Sequence, residues 1–125
     1  MLWLAISPRG ISRSALKSGR GMAVSADTYI NHCLKPCLVP FIQSHYPHGG
    51  YIFWPDKVSA HYAKKTIDFL NNEGVKFVEK RDNPTETPQV RPIEDVFGML
   101  ANLVYEKNWV VKDVDMLKYR IRYCI

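Results

Sequence analysis

From Tyr29 to Ile42 the residues Tyr29, Ile30, Cys33, Leu34, Cys37, Leu38, Phe41 and Ile42 recur at intervals of three and four. That spacing makes one face of a long helix apolar, and such a face has to be covered by another layer of structure. Ser25 and Asp27 are both suited to cap its start, so a helix is expected over 25–46. Pro36 and Pro40 fall inside the stripe and predict a kink or a division into two pieces. Pro47-His48-Gly49-Gly50 ends it.

Short apolar runs of strand length surround this helix. Leu2 to Ile6 and Ile11 to Lys17, joined by Ser7-Pro8-Arg9-Gly10, read as a strand pair over 1–18. Tyr51 to Trp54 and Val75 to Val78 read as two further strands, separated by a helix from Ser59 to Asn72 through Tyr62, Ile67 and Leu70. Residues 79–91, with Pro84 and Pro88, read as an irregular loop. Pro92 then opens a helix whose apolar face carries Ile93, Val96, Phe97, Leu100, Leu103 and Val104. A last helix falls within 112–125. Strands alternating with helices argue for an α/β fold with a mixed sheet, in one domain of 125 residues without repeats or linkers.

Composition narrows the function classes. With 46% hydrophobic and 23% charged residues the chain is an ordinary globular one rather than a disordered one. Lys and Arg outnumber Asp and Glu by 17 to 12, a net +5 compatible with a polyanionic partner. Arg9, Lys17 to Arg20 and Lys64-Lys65 are small basic patches suited to phosphate or to solvent alike. The three cysteines form neither a disulfide framework nor a paired zinc spacing, and Cys33 and Cys37 read as small buried residues of a reducing compartment. The apolar start, Met1 to Ile6, is too short for a signal peptide or a span, so no membrane partner is expected.

Two segments carry the chemistry. In Phe53-Trp54-Pro55-Asp56-Lys57-Val58-Ser59-Ala60-His61 an acid follows a strand-like run, where open α/β sheets place ligand-binding groups. A turn or helix-capping role would also suit Asp56. In Thr87-Pro88-Gln89-Val90-Arg91-Pro92-Ile93-Glu94-Asp95 two acids enter the first turn of a helix, where the helix dipole alone would favour them. Taken together, carboxylates at the ends of neighbouring elements suit Mg²⁺ or Mn²⁺, which prefer oxygen ligands. Two-metal phosphodiester chemistry needs a third acid to bridge the ions. Before Asp56 the chain offers only Asp27, on a helix and poorly placed. Ser59 and His61 lack a third group to make a nucleophile pair.

The two segments together resemble the second and third acidic motifs of the mariner-type DDE/D transposases. Asp56 to His61 is similar to that family's Asp-Asn-Ala, two variable residues, then His; Thr87 to Glu94 is similar to its Ser-Pro-Asp-Leu-Asn-Pro-Ile-Glu. Leu2-Trp3-Leu4-Ala5-Ile6-Ser7 and the Tyr29-bearing helix resemble the family's preceding segments, so positions 1 to about 110 are covered. The resemblance implies an RNase H-like fold, incomplete here: a mixed sheet lacking the first strand, flanked by helices. It divides 1–125, as a partial catalytic domain, into a strand pair at 1–18, a helix at 25–46, the acid motifs within 50–111 and a C-terminal helix at 112–125. It implies Asp56 and Glu94 as catalytic, metal-binding acids for Mg²⁺ or Mn²⁺, with His61 and Asp95 in support. It further implies DNA as partner, metal-dependent cleavage and strand transfer as the ancestral reaction, a nuclear location and a homodimer as a candidate assembly; no residue is assigned to DNA contact.

Departures temper this. Lys57 stands where the family has Asn, Gln89 and Arg91 where it has Asp and Asn, and the first acid has no counterpart. The expectation is therefore a transposase fragment that is inactive alone and marginally stable, with exposed sheet edge. The alternative is a non-catalytic nucleic-acid-binding or protein-association remnant.

Overall fold

The computed structural model describes residues 1–16, 24–56, 59–83 and 92–125. Lys57, the whole basic run Lys17 to Arg20, and the stretch 84–91 with Gln89 and Arg91 lie outside the described residues. The chain divides into two compact units, Met1–Thr85 and Glu86–Ile125, and the division falls inside the proline-bearing stretch 79–91.

The first unit opens with four short strands, β1 (Leu2–Trp3), β2 (Ile6–Ser7), β3 (Gly10–Ile11) and β4 (Ala15–Leu16). β2 pairs antiparallel with β3 and β1 with β4, so the expected hairpin forms about Pro8 and Arg9. The partners Ser7–Gly10 and Ile6–Ile11 each sum to 17, whereas Leu2–Leu16 and Trp3–Ala15 sum to 18. One extra residue has thus entered the returning arm, a bulge that divides one ladder into two small sheets. Buried Ser12 covers the break: its N–H donates to the Ala5 carbonyl at 2.8 Å and its Oγ accepts from the Ala5 N–H at 2.8 Å. Gly10, at φ 142°, supplies the turn conformation that L side chains avoid.

The apolar stripe becomes α1, a helical run over 26–45. Ser25 caps it, its Oγ accepting from the Thr28 N–H at 3.2 Å. The prolines do not divide it. The run passes from α register at Ala26–Tyr29 to the wider π register at Ile30–Leu38 and back to α at Val39–His45. Pro36 has no N–H for the carbonyl four residues before it, and the wider register takes up that missing bond. The Cys37 thiol also approaches that carbonyl, the one of His32, at 3.9 Å. Tyr29, Ile30, Cys33, Leu34, Cys37, Leu38 and Phe41 are all buried, and β4 packs against this face.

The segment 51–54 pairs in parallel with 75–78, but only through the single bridge Phe53–Phe77. Its side chains alternate as strand residues do: Tyr51 and Phe53 pack on the core, Ile52 and Trp54 are exposed. After a 3₁₀ turn at Ser59–His61 comes α2 (Lys64–Asn72), shorter than the helix read from sequence. α2 ends in a Schellman motif about Gly74, at φ 69°. The Val75 N–H donates to the Leu70 carbonyl at 2.9 Å and the Gly74 N–H to the Asn71 carbonyl at 3.1 Å. Leu70 and Val75 then meet in the core with Cys33, Leu34 and Leu38. The architecture is mixed α/β, with small sheets beside several helices.

The second unit holds α3 (Pro92–Val104) and α4 (Val114–Cys124), joined through a 3₁₀ turn at Glu106–Asn108. Leu100 and Val104 are buried, and Asp113 caps α4 by accepting from the Met116 N–H at 2.8 Å. Arg120 reaches from α4 to donate to the carbonyls of Val104 (3.1 Å) and Leu103 (3.2 Å), satisfying the free end of α3. No helix among the described residues is long and apolar enough to cross a membrane.

Candidate functional site

Asp56 is exposed and follows directly on the bridged segment, whose backbone is fixed on both sides. The Phe53 N–H donates to the Lys76 carbonyl at 2.8 Å, and the Val78 N–H donates to the Phe53 carbonyl at 2.9 Å. Beyond the bridge, Asn83 takes over. This side chain, 1% exposed, donates from Nδ2 to the Pro55 carbonyl at 2.7 Å and to the Tyr62 hydroxyl at 2.9 Å. Its Oδ1 accepts from the Trp54 indole N–H at 2.8 Å. Tyr62 in turn donates to the Val78 carbonyl at 2.7 Å. Two residues immediately before Asp56 are thus held by one amide that sequence reading leaves in an irregular loop.

His61 lies on the other side of Asp56. Its Nδ1 is 3.0 Å from the Asp56 carbonyl oxygen, which can only accept, so Nδ1 carries the proton. The neutral ring then has its lone pair on Nε2. Its plane stacks on Tyr29, with centroids 4.1 Å apart at 22°, and Trp3 meets Tyr29 edge-on at 6.5 Å. Burial pushes the His61 pKa below its ordinary value, against the opposing hydrogen bond and charge of Asp56. Tyr29 is pushed well up, first by burial, with the Trp3 side chain working the other way and Asp56 adding to the rise. The carboxylate of Asp56 is therefore felt by both rings. The helical stripe placed Tyr29 in the core; nothing in its spacing linked it to His61.

In the second unit Glu94 and Asp95 stand in the first turn of α3, both exposed, where the helix dipole favours acids. Asp56 belongs to the first unit and Glu94 to the second. As hard oxygen donors Asp56, Glu94 and Asp95 fit a divalent cation in kind. In number they fall short: among the described residues no three His, Cys, Asp or Glu side chains gather to hold a metal. Asp27 is engaged elsewhere, 3.4 Å from the Lys65 ammonium in an exposed ion pair between α1 and α2. Cys33, wholly buried, has its thiol pushed up to about 12 by burial and, secondarily, by Cys37, which suits a core residue and not a nucleophile.

No protein-family model matches the chain. Among curated proteins it is similar to the Transposable element Tc3 transposase of Caenorhabditis elegans, 30% identical over 77 residues. Those residues are 62% of this chain and 22% of the relative, so the chain spans about a fifth of the length of the curated relative it matches. The match supports a relationship to the Tc1/mariner-type transposases over that stretch.

Proposed function

We propose that the chain derives from the catalytic domain of a Tc1/mariner-type transposase and carries that domain's second and third acidic motifs on part of an RNase H-like fold. The observation that carries this is the 30% identity over 77 residues to the Tc3 transposase. The exposed Asp56 at the exit of a bridged segment and the exposed Glu94 at a helix start agree with it. In this reading DNA is the partner, and Asp56 and Glu94 each contribute a carboxylate to Mg²⁺ or Mn²⁺. His61 orients Asp56, and Asp95 stands by Glu94 as a second acid. Such ions, when bound in pairs, activate the attacking oxygen of a phosphodiester exchange and stabilise the leaving one. A pair of ions needs a bridging acid, and two carboxylates do not supply one. The chain alone is therefore expected to bind DNA without cutting it. A nuclear location and a homodimer belong to the same reading.

A second reading is favoured by one surface. Tyr119 and Tyr123, each 75% exposed, share a face of α4 beside exposed Arg122, which suits association with nucleic acid or protein without catalysis. Fluorescence anisotropy with a labelled DNA duplex, at rising salt, and plasmid nicking in Mn²⁺ test both. Salt-sensitive binding without nicking is expected. Absence of DNA binding at low salt would remove both nucleic-acid readings. Nicking that disappears in Asp56→Ala would overturn the expected inactivity and keep the transposase origin. Salt-sensitive DNA binding abolished by a Tyr119→Ala/Tyr123→Ala double variant, with no Mn²⁺ binding at Asp56, would favour the second reading.

A further inference from the structure

A buried amide with every polar atom satisfied is an unusual way to fill a core, because an apolar side chain of similar size packs there without a desolvation cost. What a satisfied network adds is a single fixed conformation. At Asn83 the fixed object is specific. Of its partners, one is the carbonyl of Pro55 and another the indole of Trp54, the two residues that precede Asp56. The third, Tyr62, is next in sequence to His61, and His61 holds the carbonyl of Asp56 itself. Residues 54, 55 and 56 are thus each gripped by a side chain from further along the chain, while the Asp56 carboxylate stays exposed.

We infer that Asn83 is a positioning residue for Asp56: through Pro55 and Trp54 it sets the backbone from which the carboxylate projects, and His61 locks the same backbone from the other side. The inference rests on the reading of Asp56 as a cation ligand and names the residue that orients it. Removing Asn83 frees the Pro55 carbonyl and lets the peptide between Pro55 and Asp56 turn. Asp56 hangs from that peptide, so its own carbonyl shifts with it and loosens its hold on the Nδ1 proton of His61.

The test is the ring ¹⁵N spectrum of His61 in the full chain at neutral pH, with Mn²⁺ binding measured on the same samples by water-proton relaxation. The wild type is expected to carry the His61 proton on Nδ1. In Asn83→Ala the proton is expected to move to Nε2, the tautomer an unconstrained imidazole favours, and Mn²⁺ affinity to fall about tenfold. Phe41→Ala, a buried truncation near the other end of α1 from Tyr29, controls for lost stability and should change neither. Asn83→Asp, of equal size, turns the donor facing Pro55 into an acceptor and is expected to act as Asn83→Ala does, should the latter fold poorly. An Nδ1 proton retained in both variants, or Mn²⁺ affinity unchanged in both, overturns the inference. A wild-type His61 protonated on Nε2 overturns it as well. Wild-type protein that binds no Mn²⁺ removes the reading of Asp56 as a ligand and with it this role, a failure distinguished by a tautomer shift that still occurs.

Discussion

Replacing Asn83 by Ala removes three hydrogen bonds from a buried position, and their costs differ. The Pro55 carbonyl, on a buried residue, loses the Asn83 donor, a penalty of about 1–3 kcal/mol. The Trp54 indole belongs to a side chain that is 42% exposed, so water replaces Oδ1 and the loss is about 1 kcal/mol or less. Tyr62 keeps its own donation to the Val78 carbonyl and loses little. The sum is about 1–4 kcal/mol, against the 5–15 kcal/mol typical of a domain. Urea denaturation followed at the Trp54 indole resonance reads this directly, as a fall in midpoint of about 0.5–2 M with slope unchanged. A double-mutant cycle with Tyr62→Phe should show coupling above about 0.5 kcal/mol, since the two side chains share one bond. A loss under about 0.5 kcal/mol for Asn83→Ala, or strict additivity with Tyr62→Phe, would refute the picture of a connected buried network.

Other consequences are as specific. Leu34→Ala, at a wholly buried position in the core of the first unit, should cost about 3–5 kcal/mol, measured as a lowered thermal midpoint; a loss below about 1 kcal/mol would contradict the packing. His61 has its folded pKa held below the unfolded value, so on acidification the unfolded chain takes up the proton first. Its contribution to stability is present above about pH 6.5 and is lost as pH falls through the folded pKa; His61→Gln should flatten that stretch of a stability–pH profile. The Cys33 thiol, pushed up to about 12, contributes stability that is whole below pH 9 and is lost as the pH rises towards 12. In the native chain at pH 8, half-exposed Cys124 should react with a thiol reagent well before Cys33 and Cys37, and equal rates would contradict their burial. Arg120→Met leaves the Leu103 and Val104 carbonyls without their cap and should cost the second unit about 1–2 kcal/mol, read as faster amide exchange at the end of α3.

How much of this is legible in the sequence depends on how local the cause is. The 26–45 helix and its buried face follow from spacing alone, because the period that brings Tyr29, Cys33, Leu34 and Phe41 together is a property of the helix itself. The first hairpin follows from Ser7-Pro8-Arg9-Gly10 for a similar reason. The bulge on its return does not, since it depends on Ser12 lending a side-chain oxygen in place of the ladder. Pro36 signals trouble in the helix, but a widened register or a break would each relieve the missing N–H, and packing of Cys33 to Leu38 on the core decides between them. Strands 51–54 and 75–78 have the right alternation, yet pairing is a long-range event and only one bridge forms. At the site, Asp56 and Glu94 stand out as acids at element boundaries, and His61 by its distance from Asp56. Asn83 gives no signal, because its partners at 54, 55 and 62 lie 21 to 29 residues away and no short pattern records them.

On the function proposed above, Asp56 and Glu94 are the cation-binding acids of a transposase-derived chain. Water-proton relaxation during titration of Mn²⁺ into the wild-type chain, Asp56→Asn and Glu94→Gln tests it most directly. Measurable binding in the wild type, weakened about tenfold or more by each substitution, is expected. Binding that both variants retain at wild-type strength, or no binding by the wild type, would contradict it.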